Sequence, residues 1–243
     1  MRNPKLRDSN KRITSELYPL GEIPKDIIYD IGKWFAYDYY VGNNDISGDR
    51  WGDIFSHAIK GEHLGSPIGL ADVVKNKMAW SAKTVKSTNP HSTSKIRIIS
   101  GRCSPDFSYG ITDPHEDIQQ TGTAVLSIYN ERINIARDHY EQLRSIVLVR
   151  NFESFEFSMF EQEINRYVTS EYRWVANSKG NLEGFHQSSD IKSFTWQPHG
   201  SQFTVHHDVP LSSVKFKVKI PSRLDFQSAI NHIGFDAKWI EII

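Results

Sequence analysis

An aspartate and a lysine, residue types that often act on phosphate groups, lie close together in the sequence between Leu70 and Lys86. This stretch predicts two short strands joined by a tight turn around Asn76. Because strand side chains alternate between faces, Ser81 and Lys83 share one face of the second strand. If the two strands pair, Asp72 on the first lies near Lys83 on the second. A carboxylate and a lysine held by rigid strands predict a site that binds a divalent metal and steadies a reacting phosphate.

Hydrolysis of a phosphodiester needs an activated water and a group that stabilises the developing negative charge. A Mg²⁺ ion held by Asp72 would lower the pKa of a bound water, and Lys83 would orient that water and bind the phosphate. An ordinary hairpin with an exposed Asp and Lys has the same spacing. The spacing alone therefore leaves both interpretations open.

The elements around this hairpin predict a mixed α/β (α+β) chain. Apolar residues at helical spacing predict helices after Pro24, over 49–60 and over 115–143. Further strands are expected over 95–100 and 145–149, a short helix over 160–167 and a terminal strand over 239–242. We expect a mixed central sheet flanked by helices. A basic arm over 1–22, a core over 23–170 and a β-rich part over 171–243 would form one compact unit.

The helix, the Asp-bearing strand and the segment Ser81-Ala82-Lys83 together resemble the PD-(D/E)xK nuclease superfamily, and type II restriction endonucleases in particular. Over residues 25 to 150, the elements follow one another in the order helix, three strands, long helix, strand. This order is similar to the core of that superfamily. The resemblance implies Mg²⁺-dependent, sequence-specific cleavage of double-stranded DNA. It implies catalytic roles for Asp72, Lys83 and Ser81, and a metal contact from the backbone carbonyl of Ala82.

Two positions depart from the pattern of that superfamily. Ala71 stands where proline is usual, and Ser81 stands where an acidic residue is usual. A serine does not replace a carboxylate as a metal ligand, so the site needs another acid. We expect Asp53, on the polar side of the second helix, to act as this metal ligand and complete the catalytic site. The other acids considered are Glu62, Glu116 and Asp117.

Polar and cationic residues in three segments are candidates for contacts with DNA. Glutamine is of interest because it pairs bidentately with adenine. Pro105-Asp106 is a second Pro-Asp pair without a following lysine motif, so a turn is expected there. The solvated loop and the plain hairpin loop remain the alternatives for these segments. The candidates are Lys86, Asn89 and His91 after the hairpin, Arg97, Arg102 and Ser104 around the next strand, and Gln197, His199, Ser201 and Gln202 in a late loop.

Composition narrows the classes of function. The 243 residues carry 29 Lys plus Arg and 29 Asp plus Glu, so the chain as a whole does not coat nucleic acid indiscriminately. The single cysteine, Cys103, excludes an internal disulfide framework and a Cys-based zinc site. We expect a cytoplasmic protein without a membrane span. The resemblance implies duplex DNA as its partner; many restriction enzymes act as homodimers, and both homodimer and monomer stay open here. The alternatives are a sequence-specific DNA-binding protein without catalysis and a small-molecule hydrolase or interaction domain.

Overall fold

The computed structural model describes residues 16–243. Residues 1–15 of the predicted basic arm over 1–22 therefore lie outside the described residues. Five α-helices and eleven strands follow one another in this described part of the chain. Their order is α1 (Lys25–Tyr40), α2 (Gly48–Ile59), β1 (Glu62–Ile68), β2 (Ala71–Lys75), β3 (Met78–Lys86), β4 (Lys95–Arg102), α3 (Pro105–Tyr109), α4 (Ile118–His139), β5 (Gln142–Asn151), β6 (Glu156–Glu163), β7 (Tyr172–Ala176), β8 (Leu182–His186), β9 (Lys192–Gln197), β10 (Gln202–Asp208), β11 (Val214–Lys217) and α5 (Phe226–His232).

A six-stranded mixed sheet is the centre of the molecule, with the strand order β1-β2-β3-β5-β6-β11. Strands β3 and β5 are parallel, and the other neighbouring pairs are antiparallel. The parallel pair needs a long crossover, and α4 lies within it. The predicted α+β class, with a mixed sheet flanked by helices, is confirmed.

A second, antiparallel sheet has the order β4-β10-β9-β8-β7. The strand predicted over 95–100 exists as β4, but it belongs to this second sheet. In the central sheet the hairpin is preceded by β1, a strand that the sequence did not predict because Gly61 before it and Gly65 and Pro67 within it favour a break. An edge strand tolerates these residues, and the pairing of β1 with β2 is irregular between His63 and Ile68.

Two apolar layers cover the faces of the central sheet. The stripe on α2 is buried as its spacing predicted, and it packs with α1 against one face; the main side chains are Phe35, Trp51, Phe55, Trp80 and Phe157. Helix α4 and the second sheet pack against the other face, through residues such as Val125, Tyr129, Ile133, Phe194 and Phe203. Strand β3 is therefore covered on both sides, which holds its backbone firmly under the site described below.

Several predicted boundaries were wrong. Residues 160–167 do not form a helix, because β6 runs to Glu163 beside β5. Residues 239–242 do not form a strand; a single 3₁₀ turn spans Ala237–Trp239. The long helix ends at His139, where β5 soon begins, and Pro105 starts the short helix α3 instead of a simple turn.

Within residues 16–243, no helix has both the length and the apolar character needed to cross a membrane.

A buried charged cluster ties β3 to its neighbours. The side chain of Glu161 on β6 is fully buried and accepts hydrogen bonds from Trp80 Nε1 at 2.6 Å and from Tyr18 Oη at 2.8 Å. Arg144 on β5 lies 3.3 Å from the same carboxylate. Burial raises the pKa of the Glu161 carboxyl, and the hydrogen bonds from Tyr18 and Trp80 act in the opposite direction.

Replacing Arg144 by alanine would leave Glu161 buried without its cationic partner. We expect Arg144→Ala to lower the free energy of unfolding by about 3–5 kcal/mol, measured by urea denaturation. Arg173→Ala is the control, because Arg173 pairs with Asp190 at the surface and its loss should cost at most about 1 kcal/mol. Equal losses in the two variants would contradict this account.

Candidate functional site

The hairpin predicted around Asn76 is present, and it opens at the end that carries Asp72. Backbone pairing joins Lys75 to Met78 and continues to Val73 opposite Trp80. Asn76 has a φ of 53°, the left-handed conformation that Asn adopts readily in tight turns. Beyond Trp80, the backbone N–H of Ala82 donates to Asp72 Oδ2 at 3.0 Å. A side chain thus takes the place of the next backbone partner, and the two strands part.

Asp72 collects three hydrogen bonds on one carboxylate oxygen. Besides the N–H of Ala82, Oδ2 accepts from Lys83 Nζ at 2.9 Å and from Ser81 Oγ at 3.2 Å. The side chains of Asp72 and Lys83 are 18% and 23% exposed, so the pair is reachable from solvent but shielded from it. Oδ1 is outside this set of bonds. The predicted proximity of Asp72, Ser81 and Lys83 is therefore present.

The backbone carbonyl of Ala82 lies on the same side of β3 as Asp72. In a strand, the N–H and the C=O of one residue point toward the same neighbouring strand. Because the N–H of Ala82 reaches Asp72, its carbonyl also points into the gap between β2 and β3. This geometry fits the predicted contact between the Ala82 carbonyl and a metal.

The parted strands border an open cleft of about 640 Å³. One wall is the start of α2 with Asp49, the second is β1 with His63, and the third is β4 with Arg97. Asp72, Ala82 and Lys83 lie on its floor. Four cationic side chains border the cleft, namely Lys83, Lys86, Arg97 and Arg150.

Asp53 is not among the residues that line the cleft containing Asp72. Asp53 is on the polar side of α2, as predicted, but its Oδ1 lies 2.7 Å from His63 Nδ1 and the residue is not part of the cleft wall. Asp49 borders the cleft instead, with a side chain that is 88% exposed. Asp49 precedes Asp53 by about one helical turn. Helical spacing reports which face of α2 is polar, but not which end of the helix meets the hairpin.

The remaining acids considered from the sequence have other positions. Glu62 is exposed at the start of β1, Asp117 caps α4 by accepting from Gln120 N at 2.8 Å, and Glu116 is exposed before that helix. Among residues 16–243, no three His, Cys, Asp or Glu side chains are grouped so as to hold a metal ion. Mg²⁺ is commonly held by one or two carboxylates together with substrate phosphates and waters. Asp72 and the Ala82 carbonyl, in a cleft that Asp49 also lines, fit only that substrate-assisted kind of site.

A second charged group adjoins the cleft and consists of Arg150, Lys86 and Asp45. Arg150 donates to Asp45 through Nε at 2.8 Å and through a second nitrogen at 3.1 Å, and Lys86 Nζ lies 2.7 Å from the same carboxylate. Burial would raise the pKa of Asp45, but the hydrogen bonds from Arg150 and Lys86 outweigh burial and lower it. Lys86, which the sequence analysis named as a candidate for a DNA contact, lines the cleft.

The other residues predicted after the hairpin are folded into a loop. The backbone carbonyl of Asn89 accepts from Thr93 Oγ1 at 2.8 Å, and His91 Nε2 lies 3.2 Å from the carbonyl of Phe216. These contacts hold the loop against β11. Of the candidates between 86 and 104, Lys86 and Arg97 border the cleft.

Six further candidates meet at one end of the second sheet. Gln202 pairs with both Arg102 and Gln197, and Cys103 N donates to the carbonyl of Ser201 at 2.8 Å. His199 is exposed in the turn between β9 and β10, and Ser104 precedes α3. Two segments predicted separately thus form one surface, but none of these six residues borders the cleft.

Comparison of the chain with protein-family models, with curated proteins and with solved structures gave no match in any of the three.

His63 depends on Gly52 for its place beside the cleft. A Cβ atom on Gly52 would lie 2.5 Å from His63 Nε2. We expect Gly52→Ala to lower the free energy of unfolding by about 1–3 kcal/mol, measured by urea denaturation, because the ring must move. In a His63→Ala background the same change should be neutral or stabilising, since alanine favours a helix over glycine. Equal effects in both backgrounds would show that the ring does not cause the cost.

Positive charge is concentrated on the outer face of β4 and β10, where Arg97 is the cross-strand partner of His206. Burial, followed by repulsion from Arg97 and Lys192, lowers the pKa of His206 to about 4. A lowered histidine pKa stabilises the fold above the unfolded value of about 6.5, and this contribution is lost as pH falls through about 4.

We expect Arg97→Ala to raise the pKa of His206, measured by NMR titration of its imidazole signals. Lys25→Ala is the control, because it removes an exposed lysine at the start of α1 and should leave the His206 titration unchanged. An unaltered His206 titration in Arg97→Ala would mean that Arg97 does not act on this ring.

Proposed function

We propose that the protein is a Mg²⁺-dependent endodeoxyribonuclease of the type II restriction kind, which hydrolyses phosphodiester bonds in double-stranded DNA. The observation that carries the proposal is the pair Asp72–Lys83 at the parted end of a hairpin, inside a cleft bordered by cations. A carboxylate for a metal, an ammonium for a phosphate oxygen and an open cationic cleft are the parts that this chemistry needs.

The order of elements supports the same proposal. Helix α2 is followed by the meander β1-β2-β3 of the central sheet. After β4, which joins the second sheet, and the short α3 come α4 and β5, and β5 is parallel to β3. With β4 and α3 left aside, the remaining elements keep one order. This is the order helix, three strands, long helix, strand that the resemblance to the PD-(D/E)xK superfamily rests on. The first of the three strands is β1 in place of the strand expected over 95–100. The hairpin that carries Asp72 thereby becomes the second and third strands of the three instead of the first and second.

The residues of the cleft have distinct tasks in the proposed reaction. Bound Mg²⁺ would activate a water and neutralise charge on the phosphate. Asp72 would hold the ion, and the Ala82 carbonyl points to the same place. Lys83 donates to a phosphate oxygen or to the attacking water, while Ser81 and the N–H of Ala82 keep Asp72 in its rotamer. Asp49 is the carboxylate we propose in the place of the family's second acid, and Asp53 orients His63.

The partners and the location belong to the same proposal. Duplex DNA is the substrate, and a homodimer acting on symmetric sites is the state that the resemblance implies. Cys103 is a free, buried thiol, which suits a reducing cytoplasm.

Cleavage of plasmid or phage DNA with Mg²⁺ tests the proposal. We expect discrete fragments from the wild type, and a rate at least about 10²-fold lower for Asp72→Ala and Lys83→Ala. Lys77→Ala is the matched control, because Lys77 is an exposed lysine in the turn of the same hairpin and should leave cleavage unchanged.

Binding of the ion gives a second measurement. Mg²⁺ should raise the melting temperature of the wild type in the presence of a duplex, but not that of Asp72→Ala. Unaltered DNA together with a specific band shift would overturn the catalytic proposal and favour a DNA-binding protein without catalysis. The absence of any DNA interaction would favour a different substrate class.

A further inference from the structure

The cleft continues into a second, larger groove of about 760 Å³. The two spaces share Val85, Lys86 and Arg97, so they are contiguous where β3 ends. From there the groove runs between the outer part of β4, the end of β10 and the start of β9, where Lys192 lies. The surface that reaches the cleft from the second sheet is therefore this groove. The surface around His199 borders neither space.

The walls of the groove are rich in cations. Its charged residues are Lys86, Lys95, Arg97, Lys192 and Asp208. Lys95 and Arg97 alternate with buried Ile96 on β4, so both point outward, and the exposed fraction of Lys192 is 38%. Burial is the main cause of the lowered pKa of His206; repulsion from Arg97 and Lys192 adds to it, and Glu183 acts in the opposite direction. Lys86 pairs with Asp45 and Lys192 with Glu183, so a phosphate at either lysine would compete with a carboxylate. On the walls of the groove the four cations still outnumber the one acid, which in a chain of zero net charge favours a local anion-binding surface.

Hydroxyl groups accompany the cations along the groove. Ser87, Thr93 and Ser193 line it. The Thr93 hydroxyl donates to the carbonyl of Asn89 and is bonded to the Ser87 hydroxyl, and the Ser193 hydroxyl lies 3.4 Å from the carbonyl of Ile191, so these groups add polar surface rather than free donors. The cross-strand bond between His206 and Thr195 Oγ1, at 2.9 Å, holds the imidazole in place. Its low pKa keeps the ring neutral, so the groove's positive charge comes from lysine and arginine.

We propose that this groove binds the phosphate backbone of the DNA that flanks the scissile bond on one side, with Lys95 and Lys192 as its principal contacts. The choice of DNA as the polyanion rests on the proposed function. The contacts are sequence-independent, because lysine ammonium groups reach phosphates and carry no information about bases. The groove thereby positions the duplex, and any recognition of sequence is a separate task of other residues.

Binding measured without catalysis tests this inference. Fluorescence anisotropy of a labelled duplex of arbitrary sequence, in EDTA at several salt concentrations, compares the wild type with the double variant Lys95→Ala/Lys192→Ala. Each lost phosphate contact lowers the slope of log K against log salt by about 0.9, so the double variant should lose about 1.8 in slope. We expect its affinity at low salt to fall about tenfold.

A matched double variant controls for net charge. Lys25→Ala/Lys179→Ala removes two exposed lysines, at the start of α1 and in the turn between β7 and β8, that border neither the cleft nor the groove. It should bind as the wild type does. Lys95→Arg/Lys192→Arg keeps both charges and should retain the wild-type slope. Equal binding by the two alanine double variants, or no duplex binding by the wild type, would overturn the groove assignment.

The two proposals fail in different ways. If the groove variant loses affinity as expected but the wild type cleaves no DNA, the nuclease proposal fails and the groove assignment stands. If the wild type cleaves and the groove variant keeps full affinity, the nuclease proposal stands and the groove assignment fails.

Discussion

The parting of β2 from β3 is the feature on which the candidate site depends. Two paired strands would bury the backbone groups of Ala82 in a ladder and leave no space between them. Here the carboxylate of Asp72 accepts the N–H of Ala82, so the donor is satisfied although the neighbouring backbone has moved away. The gap then exposes a carboxylate oxygen, a carbonyl and a lysine to one cleft. No separate loop is needed to bring them together.

Such a gap is stable only if β3 itself does not move. β3 pairs with β5 along its whole length, from Met78 to Lys86, and both faces are covered by packed layers. Trp80, two residues before Ala82, is fully buried and donates to the buried Glu161. The charged cluster and the two layers thus fix one strand rigidly, and its neighbour β2 is free to diverge. The rigid element carries Lys83 and the diverging element carries Asp72.

The second sheet supplies part of the surface around the site. Its edge strand β4 forms a wall of the cleft and continues as a wall of the groove, with Arg97 in both. The polar loops at the other end of this sheet, around Arg102 and Gln202, are joined by backbone contacts but lie apart from the cleft. A chain of zero net charge can still present a cationic track, because charge acts over about 10 Å at ordinary salt and depends on local placement.

Local pattern determined much of this protein. Strand alternation and an Asn-containing turn were enough to predict the hairpin, and its consequence, the approach of Asp72 to Lys83, follows from register alone. The apolar stripe of α2 predicted which face would be buried. These features are decided by neighbours in sequence, where side-chain period and turn chemistry are sufficient.

Only the tertiary structure decided the rest. It placed Asp49 in place of Asp53 at the cleft, moved β4 into a second sheet, and made β1 a strand despite its Gly and Pro residues. It also brought Lys95 and Lys192, nearly one hundred positions apart in the chain, to one groove. Each of these depends on which end of an element meets another and on which strand pairs with which. Periodicity carries no information about either, because long-range pairing is set by the packing of the whole chain.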